Sequence, residues 1–221
     1  MPDLLPAIEI ETAPDPTASV IWLHGLGDDG TGWSEVVPAL GLPASLRVRF
    51  LFPHAPMMPV TLNNGYVMRA WYDVREADLH ARADLPGTRR SQAQVEALVD
   101  RERARGIADA RIVMAGFSQG GAVALYAGLR HPTRLAGIVA LSTYLIDGPA
   151  LAAEASPANR DLPIFMAHGT FDPVVRLAWA ETSREALVAG GWPVEWHTYP
   201  MEHSAVVEEL AAVGAFLRRV L

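Results

Sequence analysis

Three residues have the types, order and settings that nucleophilic acyl chemistry requires: Ser118, Asp172 and His203. Ser118 is the centre of Gly116-Phe117-Ser118-Gln119-Gly120, a G-x-S-x-G sequence. Residues 111–115 before it read as a short buried strand. From Gln119 onward the apolar and small residues, Val123, Ala124, Tyr126 and Ala127 among them, recur at helical spacing. A strand before and a helix after make the sequence a nucleophile elbow, with Ser118 on a sharp, strained turn. Glycine at 116 and 120 removes the Cβ atoms that would clash there. The first N–H groups of the following helix then face the point where negative charge develops.

A serine hydroxyl is a weak nucleophile and needs a base within hydrogen-bond reach. The chain has seven histidines, and the order serine, acid, histidine asks for one downstream of Ser118. His131 lies about 12 residues along the elbow helix at roughly 1.5 Å each, too far to reach. His168 ends a strand but precedes the acid, so its expected role is packing or holding the Asp172 loop. His197 falls inside a strand. His203 sits in the loop between the last strand and the last helix, and it is the expected base. Asp172 follows a strand, with Pro173 fixing the turn behind it. Asp161 lies at the wrong end of that strand, and Asp147 belongs to an Asp-Gly turn. Asp172 is therefore the expected partner that orients the imidazole. The oxyanion needs two N–H donors. Gln119, next after the nucleophile, supplies one, and Leu26 in the loop His24-Gly25-Leu26-Gly27 is the candidate for the second.

These positions require a particular scaffold. Strands are expected at residues 8–12, 19–23, 47–52, 111–115, 136–142, 162–167 and 194–199. Helices are expected at 33–40, at 91–105 with Thr88 as N-cap, from 119 onward, at 177–188, and at 205–220 with Ser204 as cap. Strands alternating with helices imply α/β architecture, a mostly parallel central sheet with helices on both faces. With the nucleophile elbow and the order serine, acid, histidine, the expectation is an α/β-hydrolase fold. Functional residues then gather at the carboxyl ends of the strands. Residues 57–87 differ, holding many apolar and aromatic side chains with little sustained periodicity. They read as a lid or substrate-binding insertion in a single domain spanning 1–221.

Composition narrows the chemistry. Half of the 221 residues are hydrophobic and 19% are charged, enough for a sizeable core. A net charge of −7 argues against nucleic acid as a partner. All 18 cations are arginine, which excludes a Schiff-base or P-loop lysine, and without cysteine there is no disulfide or thiol nucleophile. The N-terminus lacks the features of a signal peptide, and no apolar run approaches the roughly 20 residues of a membrane span. The expectation is a soluble, cytoplasmic protein that needs no metal or cofactor.

His24-Gly-Leu-Gly-Asp, Trp71-Tyr-Asp, Gly116-Phe-Ser-Gln-Gly-Gly, His168-Gly-Thr-Phe-Asp-Pro-Val-Val and His203-Ser204 occur in this order. With them the chain resembles the phospholipase/carboxylesterase family, which includes bacterial carboxylesterases and acyl-protein thioesterases. The resemblance runs from about Ser19 to the last helix and implies the same triad and the same oxyanion donors. In two places the chain departs from the family pattern: no glycine precedes His203 in Pro200-Met201-Glu202, and residues 78–87 match no family motif.

The expected reaction is hydrolysis of a small-molecule carboxylic ester through an acyl-enzyme on Ser118, favoured when the His203 imidazole is neutral. The acyl pocket is expected from Met58, Trp71, Tyr144 and Val174, with Trp71 foremost because it lies in a family motif. The bacterial-type resemblance favours short-to-medium acyl groups. An acyl-protein thioesterase or lysophospholipase acting on long chains shares the chemistry and differs in the pocket. A non-catalytic binding module on this fold would normally have lost a triad member. Apolar residues of the 57–87 segment would also suit a homodimer contact.

Overall fold

The structure is a computed structural model, described for residues 4–76 and 84–221. In chain order the strands are β1 (Ala7–Glu11), β2 (Ala18–Leu23), β3 (Val48–Pro53), β4 (Met57–Val60), β5 (Tyr66–Arg69), β6 (Ile112–Phe117), β7 (Gly137–Leu141), β8 (Ile164–Gly169) and β9 (Val194–Tyr199). The helices are α1 (Gly30–Ser34), α2 (Leu85–Ala104), α3 (Gln119–Arg130), α4 (Gly148–Glu154), α5 (Leu177–Ala189) and α6 (Val207–Val220). Seven strands form one sheet in the order β1-β3-β2-β6-β7-β8-β9. Only β1 runs antiparallel to its neighbour; the remaining pairs are parallel. This is the α/β-hydrolase fold.

Alternation along each strand sends side chains to two separate cores. Ile21, Leu23, Met114, Ile138 and Met166 pack on one face with residues of α2, α3 and α5. Val20, Trp22, Phe50, Val113, Val139 and Phe165 pack on the other with Trp33 of α1 and with Leu210, Val213, Phe216 and Leu217 of α6. Both faces of the central strands are therefore dry, which is why 19–23 reads as an unbroken apolar run. At the far end of the sheet from the site, the fully buried Glu102 carboxylate ties α2 to β2 and β3. It accepts from the Ser19 hydroxyl at 2.6 Å and from Arg49 at 2.9 Å.

Several boundaries differ from the sequence reading. Helix α2 starts at Leu85, not at 91, because Asp84 rather than Thr88 caps it: the Asp84 side chain accepts from the Gly87 N–H at 3.1 Å. Thr88 instead donates its hydroxyl to the Asp84 carbonyl. The last helix starts at Val207 and has no side-chain cap, so Ser204 does not play that role. Residues 148–154, outside the expected helices, form α4. The 57–87 segment is not without regular structure. It contains an antiparallel hairpin, β4 on β5, pairing Met57 with Arg69 and Val60 with Tyr66, and its residues 85–87 belong to α2. Residues 77–83 of that segment lie outside the described residues. Among the described residues no helix is long and apolar enough to cross a membrane.

Candidate active site

Ser118 stands between β6 and α3, Asp172 just beyond β8, and His203 between β9 and α6. All three follow the carboxyl ends of parallel strands. The elbow is sharp. Ser118 has φ 54° and ψ −122°, a conformation disfavoured for any residue with a Cβ. Its neighbours hold it there: the Ser118 N–H donates to the Leu141 carbonyl at 2.9 Å, and its carbonyl accepts from the Thr143 hydroxyl at 2.6 Å. The flanking glycines make room for the turn. A Cβ on Gly116 would sit 2.4 Å from the Gly120 carbonyl carbon, and one on Gly120 would sit 2.4 Å from the carbonyl oxygens of both Leu23 and His24.

The three side chains form one hydrogen-bonded line. His203 Nε2 lies 2.9 Å from the Ser118 hydroxyl, and His203 Nδ1 lies 2.7 Å from Asp172 Oδ2. An ionised carboxylate only accepts, so Nδ1 carries the proton and Nε2 is left bare toward the serine. The other Asp172 oxygen, Oδ1, accepts from the N–H groups of Val174 at 2.8 Å and Val175 at 2.9 Å. Burial works to raise the Asp172 pKa. The His203 contact and those two N–H donors outweigh it and hold the carboxyl below its ordinary value. His168 supports the same loop. Its Nε2 donates to the Val175 carbonyl at 2.8 Å and lies 3.4 Å from Asp172 Oδ2. Burial lowers the His168 pKa, against the pull of that carbonyl and of Asp172, which favours a neutral ring.

Beside this line lies a mostly apolar cavity of about 320 Å³. Its walls are Gly25, Leu26, Asp28, Leu62, Val74, Phe117, Ser118, Gln119, Tyr144, Val174, Val175 and His203. Leu26 and Gln119 therefore border the same space as the Ser118 side chain. The loop that carries Leu26 is pressed against the elbow, since a Cβ on Gly25 would lie 3.5 Å from the Ser118 Cβ. Among the described residues the Leu26 N–H meets no acceptor. No group of three or more histidine, aspartate or glutamate side chains among the described residues could hold a metal ion.

Of the four residues expected in the acyl pocket, Tyr144 and Val174 line the cavity, whereas Trp71 and Met58 do not. Trp71 is buried behind the wall because its indole N–H donates to the His24 carbonyl at 2.9 Å, drawing the ring inward. Met58 packs its half-buried side chain against the core from the hairpin. In their place Leu62 and Val74 face the cavity, both from the segment whose weak periodicity marked it for binding. Behind Tyr144 its hydroxyl pairs with that of Tyr72 at 2.6 Å. Burial pushes the Tyr144 phenol up to about 12, despite that bond, and raises the Tyr72 phenol well above its ordinary value, so both stay protonated.

Comparison with known proteins agrees with this architecture. The phospholipase/carboxylesterase family profile matches residues 6–221. Acyl-protein thioesterase 1 of Neurospora crassa is 43% identical over 226 residues, covering 98% of this chain and 90% of the relative. Acyl-protein thioesterase 1 of Mycosarcoma maydis is 40% identical over 221 residues, covering 93% and 92%. The crystal structure of Arabidopsis thaliana SOBER1 superposes with a TM-score of 0.86 at 31% identity, over 92% of this chain and 98% of that one. With a profile match and relatives that extend over nearly its whole length, the chain belongs to the phospholipase/carboxylesterase family of hydrolases.

Proposed function

We propose that the chain is a serine carboxylesterase that hydrolyses esters of short-to-medium carboxylic acids, with Ser118, His203 and Asp172 as its triad. The observation that carries this reading is the unbroken line from Asp172 through His203 to Ser118, with links of 2.7 and 2.9 Å, on the wall of an apolar cavity.

In the first half-reaction His203 Nε2 takes the Ser118 proton as the hydroxyl oxygen attacks the ester carbonyl. The carbonyl oxygen becomes an oxyanion received by the N–H groups of Leu26 and Gln119, each such donor being worth on the order of 10²–10³ in rate. The imidazolium, stabilised by Asp172, returns the proton to the departing alcohol, leaving the acyl group on Ser118. Water then attacks the acyl-enzyme with His203 again as base, and the acid leaves. The acyl chain lies along Leu62, Val74, Tyr144 and Val174, which makes part of the 57–87 segment a substrate-binding insertion within a single domain.

The cavity of about 320 Å³ falls within the roughly 300–1,000 Å³ of small-molecule sites, which supports a small-molecule ester as substrate. A second reading, an acyl-protein thioesterase acting on long acyl chains, draws its thioester chemistry from the relatives at about 40% identity, which are acyl-protein thioesterases. Matched oxygen esters and thioesters from acetyl to palmitoyl separate the two. A kcat/KM that peaks at six carbons or fewer on oxygen esters supports the carboxylesterase. A maximum on palmitoyl thioesters replaces that reading with the second.

A further inference from the structure

We infer that His24 and Trp71 form a positioning pair for the oxyanion pocket: the His24 imidazole aims the Leu26 N–H, and Trp71 holds His24 in place. The inference rests on the reading of Leu26 and Gln119 as oxyanion donors.

The His24 side chain is fully buried and both ring nitrogens are engaged. Nδ1 lies 2.7 Å from the Gly25 carbonyl oxygen, and Nε2 accepts from the Ala55 N–H at 3.0 Å. A carbonyl only accepts and the Ala55 N–H only donates, so the ring is neutral with its proton on Nδ1. Burial lowers the His24 pKa, which favours the same neutral form. The Gly25 carbonyl and the Leu26 N–H belong to one planar trans peptide and point in opposite directions. Fixing the carbonyl on the imidazole therefore fixes the direction of the N–H. The imidazole is the shorter of two contacts on that carbonyl, the other being the Asp28 N–H at 3.3 Å, and the Leu26 N–H has no acceptor among the described residues.

Trp71 secures the His24 backbone and links it to the second donor. Its indole N–H donates to the His24 carbonyl at 2.9 Å, and its ring lies 5.3 Å from the imidazole. Its backbone N–H donates to Gln119 Oε1 at 2.8 Å, while Gln119 Nε2 donates to the Tyr72 carbonyl at 2.7 Å. The Gln119 amide thus grips the Trp71-Tyr72 dipeptide from its two ends, and Ser91 donates its hydroxyl to the Trp71 carbonyl from α2. One buried tryptophan joins the Leu26 loop, the residue after the nucleophile and the helix behind them. Neither His24 nor Trp71 lines the cavity. They act by keeping two N–H groups converged, so their loss is felt where the oxyanion exists and not when the substrate binds.

The experiment compares His24→Leu, His24→Asn and Trp71→Phe on a butyryl ester, with melting temperature and inhibition by an aliphatic trifluoromethyl ketone, whose serine adduct carries an oxyanion. His24→Leu and Trp71→Phe are expected to lower kcat by about 10- to 100-fold with KM within about threefold. Ketone affinity falls by a matching factor. Asparagine at 24 can place an amide N–H near the Nδ1 position, so His24→Asn recovers most of kcat. If His24→Leu does not fold, Trp71→Phe keeps the aromatic packing and removes only the indole donor, so it carries the test. The inference is overturned if kcat stays within twofold of wild type in the folded variants, or if kcat falls while ketone affinity does not. Ser118→Ala is assayed alongside. Full activity in that variant would defeat the serine-hydrolase reading itself, and a loss there with normal His24→Leu would defeat only the positioning pair.

Discussion

Asp172 presents its two oxygens to different partners: Oδ2 faces His203 Nδ1 at 2.7 Å, and Oδ1 takes two backbone N–H groups from Val174 and Val175. The division fixes which atom an amide would put where. In Asp172→Asn the carbonyl oxygen must occupy the Oδ1 site, because two donors point at it, and the NH2 group then faces His203. An NH2 group cannot accept from Nδ1–H, so the imidazole moves its proton to Nε2 and can no longer take one from Ser118. Expected is a fall in kcat on the order of 10³–10⁴ with KM little changed, measured by steady-state kinetics.

The tyrosine pair at the back of the cavity gives a stability test. Tyr144→Phe deprives the buried Tyr72 hydroxyl of its 2.6 Å partner, and Tyr72→Phe removes the same bond from the other side. Tyr144→Phe is expected to cost about 1–3 kcal/mol in guanidinium unfolding. The double change is expected to cost less than the sum, with a coupling of about 0.5–3 kcal/mol. The preferred acyl length stays unchanged in these phenylalanine variants, because the cavity keeps its shape.

Glu209 controls part of the pH dependence of stability. It is fully buried in the first turn of α6, with neither oxygen hydrogen-bonded among the described residues. Burial raises its pKa to about 8, with the nearby Val206 N–H pulling weakly the other way. A carboxyl raised in the folded state contributes stability that is fully present below its unfolded pKa, near 4.5, and is lost as pH rises through about 8. Asp172, lowered in the folded state, has the opposite sign: its contribution is present above its unfolded value and lost as pH falls. Each tenfold change in proton affinity is worth about 1.4 kcal/mol. Glu209→Gln is therefore expected to flatten the decline between pH 5 and 8 and to exceed wild type in stability at pH 8, as read by urea unfolding at several pH values.

The sequence carried those parts of the molecule whose causes are local. Strand, turn and helix around Ser118 are written within some 20 residues, and the glycines at 116 and 120 are required by contacts inside that unit and with the adjacent strand. The loops bearing Asp172 and His203 were legible because parallel sheets place such loops at one edge. The α2 start was missed because the cap is Asp84, ahead of Pro86, while Thr88 has the side chain of a cap and a different partner. The hairpin was hidden by Pro59 and by the absence of alternation in Met57-Met-Pro-Val. Trp71 was assigned to the pocket from its motif. Its role depends on His24, Gln119 and Ser91, partners 47, 48 and 20 residues away, and no local pattern reports such pairings.

The central claim is that Ser118 carries the acyl group between two half-reactions. The most direct measurement is intact mass spectrometry of protein acid-quenched within milliseconds of mixing with excess p-nitrophenyl butyrate, followed by peptide mapping. The account predicts a transient gain of one butyryl group on the peptide containing Ser118, decaying as substrate is exhausted, and no such adduct or turnover in Ser118→Ala. A butyryl adduct mapped to another residue, or undiminished turnover in Ser118→Ala, would contradict it.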